Sequence, residues 1–141
     1  MNANYKPLFP RLGAAITRLP AGTLTILTIL AILWLTLAPD PLPSTGMKLF
    51  PGADKVVHAV MFGALPAAWF IDRRRHGHTP TTGQVWLAAA LSALAGGLIE
   101  ILQALLPTGR TADWRDFLAD CAGAIVAAAV CSLFVRPRRK G

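Results

Sequence analysis

Four long apolar segments constrain the fold of this chain more than any other feature of its sequence. They lie at about residues 21–38, 55–71, 82–106 and 115–135. A helix of about 20 apolar residues crosses the hydrocarbon core of a bilayer, which is roughly 30 Å thick. With 54% hydrophobic and only 15% charged residues, the sequence predicts an all-α integral membrane protein, in which residues 1–141 form one four-transmembrane-helix bundle.

Helix-breaking and basic residues separate these segments. The Pro-rich stretch 39–43 ends the first segment, because proline lacks the amide proton that a continuing helix needs. Residues 72–75, Asp-Arg-Arg-Arg, are predicted as a basic loop after the second segment, and Pro107 ends the third. Thr81 and Gln84 have the spacing of a capping box, which predicts a helix start there.

The first segment has an alternative interpretation as a cleaved signal peptide. Lys6, Arg11 and Arg18 precede the apolar residues and Ala38 follows them, as in a secretory signal. The apolar stretch is longer than the usual signal-peptide core of about 7 to 15 residues. A retained transmembrane helix is therefore the favoured interpretation.

Lysine and arginine are distributed unevenly between the two sides of the predicted bundle. Ten of the 14 lie on the side that carries both termini, and the other four are Lys48, Lys55, Arg110 and Arg115. Because cytoplasmic loops of membrane proteins are enriched in these residues, both termini are predicted to be cytoplasmic. In a bacterium, this predicts a multi-pass protein of the inner membrane.

Three other kinds of chemistry are not supported by the sequence. The net charge of +7 comes from short basic runs without interleaved aromatic residues, so no nucleic-acid partner is predicted. Cys121 and Cys131 lie about 15 Å apart on one predicted helix, which is too far for a disulfide. His76 and His78 form a lone doublet in a basic loop, and we predict no metal and no cofactor from it.

Ionisable residues recur at a similar depth in three of the predicted helices. An i,i+3 or i,i+4 spacing places two residues on one helix face, and the pairs with this spacing are Asp54 with His58, Glu100 with Gln103, and Asp116 with Asp120. An ionised side chain within the hydrocarbon costs about 2.5 to 3.5 kcal/mol, so such groups are expected to pair with one another. The predicted ligand-binding residues are Asp54, Lys55, His58, Glu100, Gln103, Arg110, Asp113, Asp116 and Asp120.

Some of these residues also fit simpler roles. Asp54 and Asp113 stand where helix N-caps are expected, because aspartate accepts hydrogen bonds from the free amides there. Solvated or headgroup-level charges are expected at Lys48, Lys55 and Arg115, and interfacial anchors at Trp69, Trp86 and Trp114. No such role accounts for His58, Glu100, Arg110 and Asp120, of which Glu100 and Asp120 are expected to face inward.

Small residues on the third and fourth segments predict how two of the helices pack. The residues with this spacing are Ala93, Gly96 and Gly97 on the third segment and Ala119, Gly123 and Ala127 on the fourth. Such spacing lets helix backbones approach closely, so the third and fourth helices are expected to pack tightly. The alternative explanation is a high alanine content alone.

The ordered polar residues resemble the VanZ-like family of membrane proteins. The matching elements are Asp54-Lys55-Val56-Val57-His58, Glu100-Ile101-Leu102-Gln103, Arg110, Asp113 with Asp116, and Gly123. The resemblance covers about residues 39–129 and implies a polytopic membrane protein, whose named member is associated with resistance to teicoplanin, a glycopeptide antibiotic that bears a fatty acyl chain. The family pattern usually has an asparagine at the position of Asp120, so this chain adds a second carboxyl there.

Three functions remain compatible with the sequence. The first is binding of an amphipathic envelope molecule, such as a membrane lipid, a lipid-linked cell-wall precursor or a lipoglycopeptide, in an outward-facing polar pocket where Arg110 engages a phosphate or carboxylate. The second is an enzyme on lipid headgroups, with His58 and Glu100 as acid and base, or with the carboxylates and His58 holding a metal. The third is a purely structural polar network. The sequence has no GxSxG motif, and Cys121 lies in an apolar helix where a thiolate is disfavoured.

Overall fold

The described part of the chain folds into four α-helices. The computed structural model describes residues 19–38, 50–107 and 112–135. Within these residues the helices are α1 (Thr23–Leu37), α2 (Ala53–Arg75), α3 (Thr82–Leu105) and α4 (Trp114–Leu133), and the described chain contains no strand. The predicted all-α architecture is therefore confirmed. By length and composition, α2, α3 and α4 are each long and apolar enough to cross a membrane.

Helix α1 is shorter than the other three. Its 15 residues span about 22 Å at ~1.5 Å per residue, which is less than the roughly 30 Å of a hydrocarbon core. Gly22 adopts the left-handed conformation before the helix, and Ala38 is extended after it, as expected for a residue that precedes proline. A membrane crossing by α1 therefore stays a prediction.

The ends of α2 and α3 test two of the local predictions. The basic loop predicted at residues 72–75 is wrong, because α2 continues through Arg75 and its last turn places three arginines where they stabilise the helix dipole. The capping box at the start of α3 is confirmed. Thr81 Oγ1 accepts a hydrogen bond from the Gln84 amide at 3.3 Å, and Gln84 Oε1 accepts one from the Thr81 amide at 2.9 Å.

Successive helices run in alternating directions. Asp72, near the end of α2, contacts Thr25 near the start of α1, and Lys55 at the start of α2 contacts Asp116 at the start of α4. The bundle therefore has two ends, which we call the Asp72 end and the Lys55 end after these residues. The predicted pairs Asp54 with His58 on α2 and Asp116 with Asp120 on α4 both lie at the Lys55 end.

The distribution of polar and apolar side chains in the bundle is the reverse of that in a water-soluble protein. Large apolar side chains point away from the bundle, such as Leu94 and Leu133, which are 68% and 82% exposed. Polar side chains are buried instead, and they are Thr36, His58, Asp72, Ser92, Glu100, Gln103 and Asp120. An apolar exterior of this extent requires an apolar environment, which agrees with a multi-pass membrane protein.

The backbones of α2 and α4 approach each other closely, in addition to the tight packing that the sequence predicted between α3 and α4. A β-carbon on Gly123 would overlap the backbone carbonyl of Ala59, and one on Gly63 would lie 2.9 Å from the Gly123 carbonyl oxygen. Helices α3 and α4 also meet at small residues, since Gly97 faces the Phe117 ring. Gly123 of α4 thus faces α2, a neighbour that the spacing of small residues did not identify.

A polar network at the Asp72 end attaches α1 to α2. Asp72 Oδ2 accepts hydrogen bonds from the Thr25 amide at 2.8 Å and from its hydroxyl at 2.7 Å, and Asp72 Oδ1 accepts one from Arg75 Nε at 2.8 Å. Arg75 also donates to the carbonyls of Leu19 and Pro20. Helix α1 has no side-chain N-cap of its own, so Asp72 supplies that cap from the neighbouring helix.

We expect Asp72→Ala to lower the free energy of unfolding by about 2 kcal/mol, because it removes a helix cap and leaves partly buried amides without an acceptor. Thermal unfolding of the purified protein in detergent measures the change. Asp54→Ala is the matched control, because Asp54 is more than half exposed and exposed ion pairs contribute little. Equal melting temperatures for the two variants would contradict this role of Asp72.

Candidate functional site: a buried histidine and carboxylate cluster

The charged cluster at the Lys55 end contains seven residues from α2, α3, α4 and the residue before α4. They are Asp54, Lys55, His58, Glu100, Asp113, Asp116 and Asp120. All seven were predicted as ligand-binding residues from the sequence. The helix faces that the spacing predicted therefore converge in the structure.

Lys55 joins α2 to the start of α4. Its ammonium group lies 2.8 Å from Asp54, 3.1 Å from Asp113 and 3.0 Å from Asp116. Asp113 also accepts a hydrogen bond from the Arg115 amide, and this bond together with the Lys55 ammonium lowers the pKa of the Asp113 carboxyl. Lys55 is thus paired with three carboxylates rather than simply solvated.

The two predicted N-caps have different outcomes. Asp113 is the N-cap of α4 and accepts from the Arg115 amide at 2.9 Å, so that prediction is confirmed. The prediction for Asp54 is wrong, because Gly52 is the N-cap of α2 and Asp54 lies within the first turn. There it pairs with Lys55 at the exposed rim of the cluster.

His58 and Asp120 form the deepest pair of the cluster. His58 Nδ1 lies 3.0 Å from Asp120 Oδ1, and both side chains are almost completely buried. The Phe62 ring stacks on the imidazole, with ring centroids 6.3 Å apart. A carboxylate at Nδ1 favours the tautomer whose proton is on that nitrogen, which leaves Nε2 as an acceptor. His58 Nε2 lies 3.9 Å from Asp116 Oδ2.

Glu100 is buried and only partly satisfied. Its Oε2 accepts a hydrogen bond from the Asp113 amide at 2.9 Å, whereas its Oε1 is buried without a partner among the described residues. The same is true of Asp120 Oδ2. A buried carboxylate oxygen without a donor or a cation is costly, so a donor or a cation at either atom would stabilise the cluster.

One atom each from His58, Glu100 and Asp116 lies within 4.8 Å of the other two. These three residues come from three different helices. Their ligand atoms are a ring nitrogen and two carboxylate oxygens, which can accept hydrogen bonds from a bound molecule or bind a cation.

Gln103 contacts α1 rather than the charged residues of the cluster. Gln103 Nε2 donates to the Thr36 carbonyl at 2.8 Å, so this side chain connects the end of α3 to the end of α1. The partner of Gln103 was not identified from the sequence, because a backbone carbonyl carries no residue-specific signal. Arg110 lies outside the described residues.

An apolar groove of about 350 Å³ opens between α1, α2 and α3. Its walls include Ile29, Phe62, Trp69 and Ile99. The groove borders the charged cluster at Phe62, which lines the groove and stacks on His58. Trp69 was predicted as an interfacial anchor, but it is half-buried and lines this groove. No sequence pattern predicted the groove.

We expect Asp120→Asn to be tolerated and Asp120→Leu to be damaging. The asparagine amide oxygen can still accept the Nδ1 proton of His58, whereas leucine leaves that buried donor unpaired at a cost of about 1 to 3 kcal/mol. Melting temperature and the phospholipid cross-linking described below measure both effects. If asparagine proves as damaging as leucine, the negative charge of Asp120 is itself required.

Comparison with known proteins identifies the family of the chain. Neither the curated proteins nor the solved structures give a match. The model of the VanZ/LLP1 family matches residues 21–135, a range that includes all four helices and the whole charged cluster. Because this match covers most of the sequence, the chain belongs to the VanZ/LLP1 family.

Proposed function

We propose that this protein binds an amphipathic molecule of the bacterial envelope, with the polar headgroup at the charged cluster and an acyl chain in the apolar groove. The observation that carries the proposal is that one residue, Phe62, borders both features. Phe62 forms a wall of the groove and stacks on His58. A ligand at this junction places its polar and apolar parts in matching surroundings.

The cluster itself limits what a headgroup must offer. Its described side chains include five carboxylates, with one lysine and one histidine to balance them. Two carboxylate oxygens are buried without partners among the described residues. A headgroup that enters must bring hydrogen-bond donors or positive charge, or must arrive together with a cation. Arg110, predicted from the sequence to join the site, is a further donor for a phosphate or carboxylate.

Membrane lipids, lipid-linked cell-wall precursors and lipoglycopeptides all have this amphipathic form. The resemblance to the VanZ-like family adds teicoplanin-type resistance as a candidate phenotype, since teicoplanin carries a fatty acyl chain. To sequester or reposition such a molecule at the outer face of the inner membrane, the protein needs only to bind it. The protein is therefore proposed to act at the outer face of the inner membrane.

Chemistry on the headgroup is the second candidate function. The observation in its favour is the buried His58–Asp120 pair, because a carboxylate that orients an imidazole is a common arrangement for a general base. Glu100 lies close enough to act as the acid partner. Release of a cleaved headgroup from a defined phospholipid by the purified protein would favour this function over binding.

We expect both termini to be cytoplasmic and the Lys55 end to face outward, because lysine and arginine are concentrated on the side of the Asp72 end. Fusions of alkaline phosphatase, which is active only outside the cytoplasm, test this topology. Activity is expected from a fusion near residue 112 and not from one after residue 141. An active C-terminal fusion would contradict a chain that crosses the membrane four times.

A phospholipid with a photoreactive group on its acyl chain tests the proposed binding. After illumination in detergent, mass spectrometry should locate adducts on groove residues of α1, α2 and α3. Ala88→Phe fills the groove and should reduce the adducts about tenfold, which corresponds to about 1.4 kcal/mol of lost binding free energy. Ala90→Phe on the exposed face of the same helix is the matched control. Adducts spread evenly over all faces would contradict the proposal.

A further inference from the structure

His58, Glu100 and Asp116 converge in a way that supports an inference independent of the proposed lipid binding. We infer that these three residues bind a divalent transition-metal ion, of which Zn²⁺ is the best match. The ligand atoms would be His58 Nε2 and one carboxylate oxygen each from Glu100 and Asp116. This site does not depend on the identity of the amphipathic ligand, because the ion binds to side chains of the protein alone.

The spacing of the ligand atoms is compatible with one shared ion. Ligands at about 2.0 to 2.2 Å from Zn²⁺ lie roughly 3.4 Å from one another in a tetrahedral site. His58 Nε2 and Asp116 Oδ2 are 3.9 Å apart, and one possible ligand atom from each of the three residues lies within 4.8 Å of the other two. A contraction of at most about 1.4 Å in these separations, within the reach of side-chain torsions, would bring the three atoms to binding distance of one ion.

Each of the three proposed metal-binding side chains is held by a second residue, as is usual in metal sites. A metal-bound histidine generally donates its other ring N–H to a carboxylate, and Asp120 occupies that position at Nδ1 of His58. Asp116 Oδ1 is held by Lys55 at 3.0 Å, which leaves Oδ2 on the side of the imidazole. Glu100 Oε2 is likewise fixed by the Asp113 amide. Each ligand is therefore oriented by a contact outside the site.

We assign the second carboxylate oxygen of Glu100 as the ligand atom that α3 contributes. Glu100 is 8% exposed, and its Oε1 has no hydrogen-bond partner among the described residues. A divalent ion would satisfy that atom and would add two positive charges to a cluster dominated by carboxylates. Ordinary ion pairing among the described residues leaves this atom unsatisfied.

The ligand types favour Zn²⁺ over Mg²⁺ or Ca²⁺. Imidazole with carboxylates suits borderline transition metals, whereas Mg²⁺ and Ca²⁺ prefer shells made of oxygen alone. Three protein ligands also leave a fourth position open, as in zinc sites that bind an exchangeable molecule.

Isothermal titration of the full-length protein with Zn²⁺ tests the inference. The protein is purified in detergent without a histidine tag and stripped with a chelator. We expect one ion per chain, and binding at least about tenfold weaker for Glu100→Gln, His58→Gln and Asp116→Asn, because each removes one of three ligands. Mg²⁺ and Ca²⁺ should bind far more weakly than Zn²⁺.

Two control variants separate this site from other zinc ligands in the chain. The double variant His76→Gln, His78→Gln and the double variant Cys121→Ser, Cys131→Ser should both retain the binding of wild type. X-ray absorption of the zinc-loaded wild type should show one imidazole with oxygen ligands and no sulfur, a result that does not depend on how well any variant folds. The inference is overturned if Zn²⁺ does not bind, if the three site variants bind as wild type does, or if sulfur or several imidazoles surround the ion.

Discussion

Gly123→Ala should unfold the protein at a much lower temperature than wild type, with a loss of about 3 kcal/mol or more in the free energy of unfolding. A β-carbon at this position would overlap the Ala59 carbonyl. Overpacking a tight contact usually costs about 1 to 3 kcal/mol, and more where the neighbour cannot rotate away. Here the neighbour is helix backbone, so relief requires α2 and α4 to separate.

That separation would also reach the charged cluster. The Lys55–Asp116 and His58–Asp120 pairs connect the same two helices, and both would lengthen as the helices move apart. We therefore expect Gly123→Ala to lose ligand binding as well as stability. Thermal unfolding and phospholipid cross-linking on the same preparation measure the two effects.

Gly83→Ala is the matched control for this substitution. It exchanges the same residues in a helix of the same bundle, but a β-carbon at Gly83 would meet nothing within 4 Å. Replacing a helical glycine by alanine in open space stabilises a helix by up to about 1 kcal/mol. If Gly123→Ala melts at the temperature of Gly83→Ala, the close approach of α2 and α4 does not hold the bundle together.

The helices and the cluster could be predicted from the sequence because both depend on local spacing. Long apolar segments select helices in a membrane, and i,i+4 pairs such as Asp54 with His58 must share a helix face. The capping box at Thr81 needed only two residues three positions apart. Each of these signals lies within one helix, so no knowledge of neighbouring helices was required.

Features that depend on which helices become neighbours could not be predicted in this way. Gly123 has the same spacing signal whether it faces α2 or α3, because small-xxx-small motifs do not specify a partner. Asp72 was assigned to a basic loop, since nothing in its own segment indicates that it caps α1. The apolar groove needs three helices to be placed together, and its position is a property of packing rather than of any single segment.

Substitution of Glu100 by glutamine is the most direct test of whether the charged cluster is functional. Glu100→Gln keeps the shape of the side chain, and one amide oxygen can still accept from the Asp113 amide. The substitution also removes a charge whose burial in hydrocarbon is costly. Melting temperature and expression are therefore expected to hold or rise.

Ligand binding should nevertheless fall by about tenfold or more in Glu100→Gln, because a cation or a donor headgroup loses a carboxylate partner. His58→Ala should lose binding to a similar extent, and so should Arg110→Ala if this residue joins the site as the sequence predicts. Phospholipid cross-linking measures binding, and teicoplanin susceptibility of cells that express the protein measures the proposed phenotype.

The double variant of His58 and Glu100 distinguishes one shared site from two independent contributions. If both residues serve one bound molecule, the double variant should be little worse than either single variant, because the second substitution removes a contact that is already lost. Additive losses would mean that each residue acts alone. Wild-type binding in Glu100→Gln, or losses that only follow falling melting temperatures, would make the cluster a packing device, since a buried polar network can serve folding specificity without binding anything.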